Sequence, residues 1–334
     1  MIKNIYNNEL LKRGFLDINL DEKFDFAKEI RKLRREKNTV ILAHYYQDAK
    51  IQDIADFIGD SLYLSQQAAK TQAEIIVFCG VHFMAETAKI LSPEKKVLLP
   101  DLNAGCSLAD SCKADDFKVF LKKYPGYKVI SYINTTAEIK ALSDVICTSS
   151  NAVQILKSFP ENERIIFAPD KNLGNYIQSI SGRDLIIWDG ACHVHEEFSL
   201  ERILELKSMN PKAKVIAHPE CKKPILIVAD YIGSTSALLK FTINDDSNTY
   251  IVATESGILH QMKKASPNKA FIAAPPKDST CGCSDCSFMK LNTMKKLYTC
   301  LKYEVPEITV VEELRKKAEL SIRRMLDISE KLGL

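Results

Sequence analysis

The sequence predicts an α/β protein of three pseudo-threefold-related, three-layer α/β/α units, each with a small parallel sheet, arranged around a central site. Three observations support this fold class. The chain repeats itself: aligning residues 40–64, 128–152 and 214–238 makes four positions recur in steps of 88 and then 86 residues. Short apolar runs alternate with helical patterns, as in parallel sheets covered on both faces. Each unit closes with a strand that runs into a cysteine loop: PDLNAGC, WDGAC and APPKDSTCGCSDC. A fixed period of this length marks repeated structural units, and equivalent residues of such units can meet on one axis.

The strands follow from β-rich apolar runs bounded by turn signals: 39–43, 75–78 and 96–99 in the first unit, 128–132, 164–168 and 184–188 in the second, 214–217, 250–253 and 270–273 in the third. Near-continuous apolar strands fit sheets buried on both faces. Between them, Ile51, Ile54, Ala55 and Ile58 share one helical face, and Met84, Thr87, Ala88 and Leu91 share another. Thr135 and Glu138 have capping-box spacing and should open a helix. The expected units are 1–110 with an N-terminal helical extension, 111–197, and 198–334 with a C-terminal helix. That tail, 310–332, carries Leu314, Leu320, Ile322, Met325, Leu326 and Ile328 amid charges and reads as an amphipathic docking helix.

Composition narrows the function. The 334 residues are 46% hydrophobic and 27% charged, ordinary for a globular protein. A net charge of +3 suits small anionic ligands and is too weak to argue for nucleic acid. No apolar run approaches the ~20 residues that cross a bilayer, and MIKNIYNNELLKRGF lacks the apolar core of a signal peptide. The expectation is a cytoplasmic protein with no nucleic-acid or membrane partner. Ten cysteines in a reducing compartment then point to metal binding or catalysis rather than disulfides.

The four recurring positions hold His44, Tyr132 and His218; Tyr46, Asn134 and Glu220; Asp56, Asp144 and Asp230; and Ser61, Ser149 and Thr235. The first two sets lie at or just past strand ends, where open parallel sheets bind ligands. One such loop would be an ordinary connection; three in register argue for a shared site. Ser61, Ser149 and Thr235 stand near helix starts, where a hydroxyl serves as a cap or helps hold carboxylate or phosphate. Cys106, Cys192 and Cys286 recur at steps of 86 and 94, so one thiolate per unit could share a metal site that no local spacing reveals. Taken alone, Cys281, Cys283 and Cys286 form C-x-C-x-x-C with no neighbouring histidine, a weak iron–sulfur or zinc signal. Three thiolates would leave one iron of a cubane cluster open to a substrate atom. Cys79, Cys147 and Cys300 read as core residues, Cys112 and Cys221 as incidental.

These residues are the ones by which the chain resembles the quinolinate synthase family. The likeness runs through VILAHYYQ, DIADFIGDSL, FCGVHFMAETAKIL, PDLNAGCSLAD, SYINTTAEIKA, CTSSNA, WDGACHVHE, AHPEC, GSTSA and TESG to the last cysteine segment. It implies three stacked α/β/α domains about a pseudo-threefold axis and a 4Fe–4S cluster held by one cysteine from each. It also implies condensation of iminoaspartate with dihydroxyacetone phosphate to quinolinate, phosphate and water, a step of NAD biosynthesis. The source of iminoaspartate would be an L-aspartate oxidase or an aspartate dehydrogenase. Carried over by residue, the cluster ligands would be Cys106, Cys192 and Cys286. The catalytic groups would be Tyr46, Glu220 and His218. His44, Ser61, Tyr132, Asn134, Ser149, His218, Glu220 and Thr235 would line the substrate pocket. Some family members carry C-x-x-C-x-x-C where this chain has C-x-C-x-x-C; Cys286 is chosen because the family's ligand directly precedes a short segment ending in Met, here Ser-Phe-Met. Burial beside a cluster is expected to raise the Glu220 carboxyl. A redox-sensing iron–sulfur protein without turnover is the rival reading, and a zinc-dependent hydrolase the third.

Overall fold

A computed structural model of the chain describes residues 10, 12–21, 23–277 and 284–334. Among them are three four-stranded sheets, parallel throughout and of one topology. The first comprises β1 (Thr39–His44), β2 (Phe57–Gly59), β3 (Ile75–Cys79) and β4 (Lys96–Leu98), in the order β2-β1-β3-β4. The second comprises β5 (Lys128–Tyr132), β6 (Val145–Cys147), β7 (Ile165–Ala168) and β8 (Leu185–Ile187), in the order β6-β5-β7-β8. The third comprises β9 (Lys214–Ala217), β10 (Tyr231–Ile232), β11 (Thr249–Ala253) and β12 (Ala270–Ala273), in the order β10-β9-β11-β12. Helices flank each sheet, so the α/β class and its threefold repetition stand.

All nine anticipated strands are present, and each sheet has one more. The additional strands β2, β6 and β10 are two or three residues long, too short for hydrophobic periodicity to reveal. Each begins directly after one of the recurring aspartates, and the structure explains that aspartate. Asp56 Oδ2 accepts the Ile41 amide at 2.9 Å, Asp144 Oδ2 the Val129 amide at 2.8 Å and Asp230 Oδ2 the Val215 amide at 2.7 Å. Each also donates its own N–H to the carbonyl of the same residue, at 2.9, 2.9 and 2.7 Å. The short strand starts one residue further on, so the carboxylate pairs the first strand of its sheet where the edge ladder has not begun. Asp144→Ala should therefore cost about 1–2 kcal/mol of stability, since the Val129 N–H loses its acceptor inside the fold. Urea unfolding measures it; an unchanged midpoint would make the aspartate dispensable.

Two other expectations change. The helix of Ile51 and Ile54 is a single turn, Ala49–Gln52, and Ile58 lies in β2. The helix anticipated at Thr135 opens at Ala137 with Thr136 before it, because the Thr135 hydroxyl turns back to the Tyr132 carbonyl at 3.2 Å.

By contacts the chain forms two compact units, residues 1–106 with 287–316 and residues 107–286 with 317–334. The first unit holds the first sheet, with Ile41, Ala43, Ile75, Val77 and Leu98 in a core closed by Leu297, Cys300 and Leu301. The second unit holds the other two sheets, each with its own core: Phe117, Val129, Ile139 and Ile166 in one, Val215, Ala217, Ile251 and Ala253 in the other. The tail helix is Glu312–Lys331. In the second unit its buried stripe is Ala318, Ser321, Ile322, Met325 and Ser329, whereas Leu320, counted as apolar face in the sequence, is 72% exposed. Ser321 donates to the Lys140 carbonyl at 2.8 Å, and Ser329 accepts from Asn151 Nδ2 at 2.9 Å. No helix among the described residues is long and apolar enough to cross a membrane.

Candidate active site

The recurring residues begin where the central strands end. In the first unit His44 closes β1 and is buried. Its Nδ1 accepts the Tyr46 amide at 3.2 Å, and the two rings meet edge-on, centroids 4.4 Å apart. Tyr46 is half-buried, and its carbonyl accepts Lys290 Nζ at 2.9 Å. Ser61 is the first residue of the helix Ser61–Lys70, whose cap is Asp60, accepting the Tyr63 amide at 3.1 Å.

The second unit brings several predicted residues into direct contact. Tyr132, the last residue of β5, donates its hydroxyl to Glu220 Oε1 at 2.5 Å. Beyond β9, His218 repeats the His44 turn: its Nδ1 accepts the Glu220 amide at 3.4 Å. Its Nε2 lies 3.1 Å from Ser149 Oγ, and its Nδ1 also stands 3.7 Å from Glu220 Oε1. Asn134 Oδ1 is buried and has no hydrogen-bond partner among the described residues. Thr235 is buried and opens the helix Thr235–Asn244, while Ser234 caps it by accepting the Ala237 amide at 3.3 Å. Capping at Ser61 and Thr235 is thus served by the residue before. Ser149 lies three residues ahead of its helix, Ala152–Lys157.

His195 belongs with this group and was missed in the sequence. It sits on the short helix His193–Glu196, is buried, stacks on His218 with centroids 4.9 Å apart and places Nδ1 3.2 Å from Glu220 Oε2. Its Nε2 lies 3.1 Å from Thr254 Oγ1. Ligand atoms of Cys192, His195 and Glu220 all lie within 4.8 Å of one another. The spacing of Cys192 and His195, one helical turn apart in WDGACHVHE, was the available signal.

The electrostatics reverse one expectation. Burial does push the Glu220 carboxyl up, but the His195 and His218 imidazoles and the Tyr132 hydroxyl outweigh it and hold the group below its ordinary range. Glu220 is therefore a carboxylate at neutral pH. Nearby Asp170, fully buried after β7, is shifted the other way, first by burial and then by the Glu220 charge.

The three cysteines that recur in the sequence also share a local geometry. The carbonyl two residues before each accepts a backbone amide from the loop after the third strand of its sheet. His82 donates to Ala104 at 2.7 Å, Lys171 to Gly190 at 2.8 Å and Ser256 to Ser284 at 3.1 Å. In the second sheet the approach is close enough that a Cβ on Gly190 would meet the Pro169 carbonyl at 2.6 Å. Cys106, Cys192 and Cys286 are half-buried; Cys79, Cys112, Cys147, Cys221 and Cys300 are buried. Burial pushes those five thiols up, Cys112 to about 12, which keeps them protonated. Cys192 and Cys286 both pack against the core of the third sheet. Ser107, which follows Cys106 in the chain, accepts the His193 amide at 3.3 Å and lies 2.7 Å from His193 Nδ1. Cys281 and Cys283 lie outside the described residues.

Residues 28–327 match the family model described as quinolinate synthetase A protein. A protein of Microcystis aeruginosa named quinolinate synthase is 60% identical over 305 residues, covering 91% of this chain and 95% of its own. One of Thermosynechococcus vestitus with the same name is 59% identical over 305 residues, covering 91% and 96%. One of Chloroherpeton thalassium, also so named, is 55% identical over 313 residues, covering 94% and 97%.

Proposed function

Because this chain belongs to the quinolinate synthetase A family, we propose that it is an enzyme of NAD biosynthesis that condenses iminoaspartate with dihydroxyacetone phosphate to quinolinate, phosphate and water. The observation that carries this reading is the buried set Tyr132, Glu220, His218 and His195 beside Cys192. It couples an ionised carboxylate to hydrogen-bond donors at the ends of parallel strands, where small-molecule chemistry is positioned.

In this reading Glu220 takes protons from carbon and nitrogen of the substrates as general base. Tyr132 and His195 orient its two oxygens, and His218 fixes the turn that presents it. Tyr46, in the equivalent slot of the first repeat, supplies a hydroxyl as proton donor. Asn134 cannot exchange protons at neutral pH; its bare oxygen accepts from a substrate N–H or O–H and sets orientation. His44 holds Tyr46 as His218 holds Glu220.

The cysteines fit a 4Fe–4S cluster in their chemistry. The three proposed ligands are half-buried and recur with one loop geometry, while the buried thiols are held protonated. Cys106, Cys192 and Cys286 would bind it, and when bound it offers an open iron as Lewis acid toward a substrate oxygen or nitrogen. The Cys192, His195 and Glu220 group supports a second reading, a single metal ion on mixed sulfur, nitrogen and oxygen donors. Anaerobic metal analysis separates them: equal iron and sulfide are expected, whereas one zinc per chain would favour the second. The test of function is anaerobic quinolinate formation from the two substrates; a cluster-loaded protein that makes none would refute it. We further propose repeat boundaries at 1–110, 111–197 and 198–334, a cytoplasmic location, and an L-aspartate oxidase or aspartate dehydrogenase as the source of iminoaspartate.

Both substrates are anions, and Ser61, Ser149 and Thr235 are proposed to hold their carboxylate and phosphate groups. Asp60 already occupies the helix start at Ser61 with a negative charge, while the start at Thr235 has the neutral cap Ser234. Thr235→Ala should thus weaken product binding more than Ser61→Ala, by about tenfold against two- to threefold, with the cluster spectrum unchanged. Titration with quinolinate measures this; normal binding in Thr235→Ala would leave that residue a structural role.

A further inference from the structure

The loop after β11 does more than lend one amide to its cysteine loop. Asp170 and Glu255, each fully buried, directly precede the amide donors Lys171 and Ser256. Glu255 Oε1 accepts the Cys286 backbone amide at 3.1 Å, and its Oε2 accepts the Gly257 amide at 2.7 Å. Asp170 Oδ1 instead caps the following helix through the Leu173 amide at 2.7 Å. Cys286 is thus tied twice to the loop beside it: by the Ser284 carbonyl two residues before, and by its own N–H. In the first sheet the residue before the amide donor His82 is Val81, which has no acceptor to offer.

We infer that Glu255 is a positioning residue for the metal centre, fixing the backbone of Cys286 so that its thiolate is presented to iron in one geometry. The inference rests on the assignment of Cys286 as a cluster ligand. Two consequences are physical. A thiolate on a loop fixed at two backbone points loses little freedom on binding metal, so the centre forms with less entropy cost. The Cys286 amide is also committed to a carboxyl oxygen and cannot donate to sulfur, so hydrogen bonding to that ligand's sulfur must come from elsewhere.

The tie is separable from stability by choice of substitution. Glu255→Ala removes the tie to Cys286, and Glu255→Gln retains an oxygen for its amide. With anaerobically reconstituted full-length protein, iron release to a chelator should be about 10–100-fold faster in Glu255→Ala, the usual scale for support of a metal ligand. Glu255→Gln should stay near wild type. Release at the wild-type rate in Glu255→Ala would overturn the inference, and so would equally fast release from Glu255→Gln. If a substituted chain does not fold, hydrogen exchange in the wild type decides: the Cys286 amide should be protected, and exchange at the rate of open loops would overturn the tie. A wild-type protein that never takes up iron would refute the ligand assignment itself, an outcome distinct from a loaded wild type whose variants behave alike.

Discussion

Replacing Cys106, Cys192 or Cys286 by alanine should abolish the cluster and activity, each alone. Three thiolates are the minimum that holds a cubane with one open iron, so the loss of any one leaves two irons without protein ligands. Cys112→Ala, Cys221→Ala and Cys300→Ala should leave both nearly intact. Their thiols are buried and kept protonated, and the cost of removing them is a small cavity, about 1 kcal/mol. Iron and sulfide content with the anaerobic absorption spectrum reads the first effect; quinolinate formation reads the second. Among the three, Cys286 is the informative case. The carbonyl of Ser284 stands two residues before it, as that of Ala104 does before Cys106 and that of Gly190 before Cys192. If Cys283→Ala loses iron while Cys286→Ala keeps it, that shared register is coincidental and the ligand lies elsewhere in the segment.

Glu220→Gln should retain the cluster and bind substrate yet lose roughly 10²–10⁴-fold in turnover, the scale of a positioned general base. Glutamine is nearly isosteric and keeps an oxygen for the Tyr132 hydroxyl, so the fold should survive. What disappears is a carboxylate that His195 and His218 hold ionised. Tyr46→Phe should fall in the same range through loss of a proton donor, and Asn134→Ala should act mainly on binding. Single-turnover assays at saturating substrate separate the two kinds of effect. Near-wild-type turnover in Glu220→Gln would return that residue to the role of bracing the strand end beside His218.

The strands that form the sheet interiors were legible because buried parallel strands are apolar along their length, as in Thr39–His44 and Ile165–Ala168. One edge strand of each sheet was not: Tyr231–Ile232 offers two residues, and beside its short ladder to β9 the sheet edge is closed by a neighbouring carboxylate bonded to that strand. Likewise the recurring aspartate was visible as a repeat, but only geometry separates a residue that closes a sheet from one that meets a ligand. The site was legible where the repeat exposed it, in Tyr132, His218 and Glu220. His195 has no counterpart of like chemistry in the other repeats, and Asp170 and Glu255 match only each other, with Val81 in their place in the first repeat, so a threefold period could not find them. The sign of the Glu220 shift depended on two imidazoles, one contributed by such a residue.

The strand order has a consequence for how the chain comes to be folded. Each sheet is drawn from one uninterrupted stretch, 39–98, 128–187 and 214–273, with no strand borrowed from another. Strand pairing therefore needs only short loop closures, although the core of the first sheet is completed by Leu297, Cys300 and Leu301 near the end of the chain. Each proposed ligand follows the last strand in its stretch, after β4, β8 and β12. Synthesis thus delivers every thiol after the four strands of its own sheet. The tail helix emerges last, when all three are present, and its packing on Lys140 and Asn151 reaches back across about half the chain. A nascent chain truncated after Cys192 should already protect the amides of its second sheet from exchange, whereas the first sheet has to wait for Leu297, Cys300 and Leu301 to close its core.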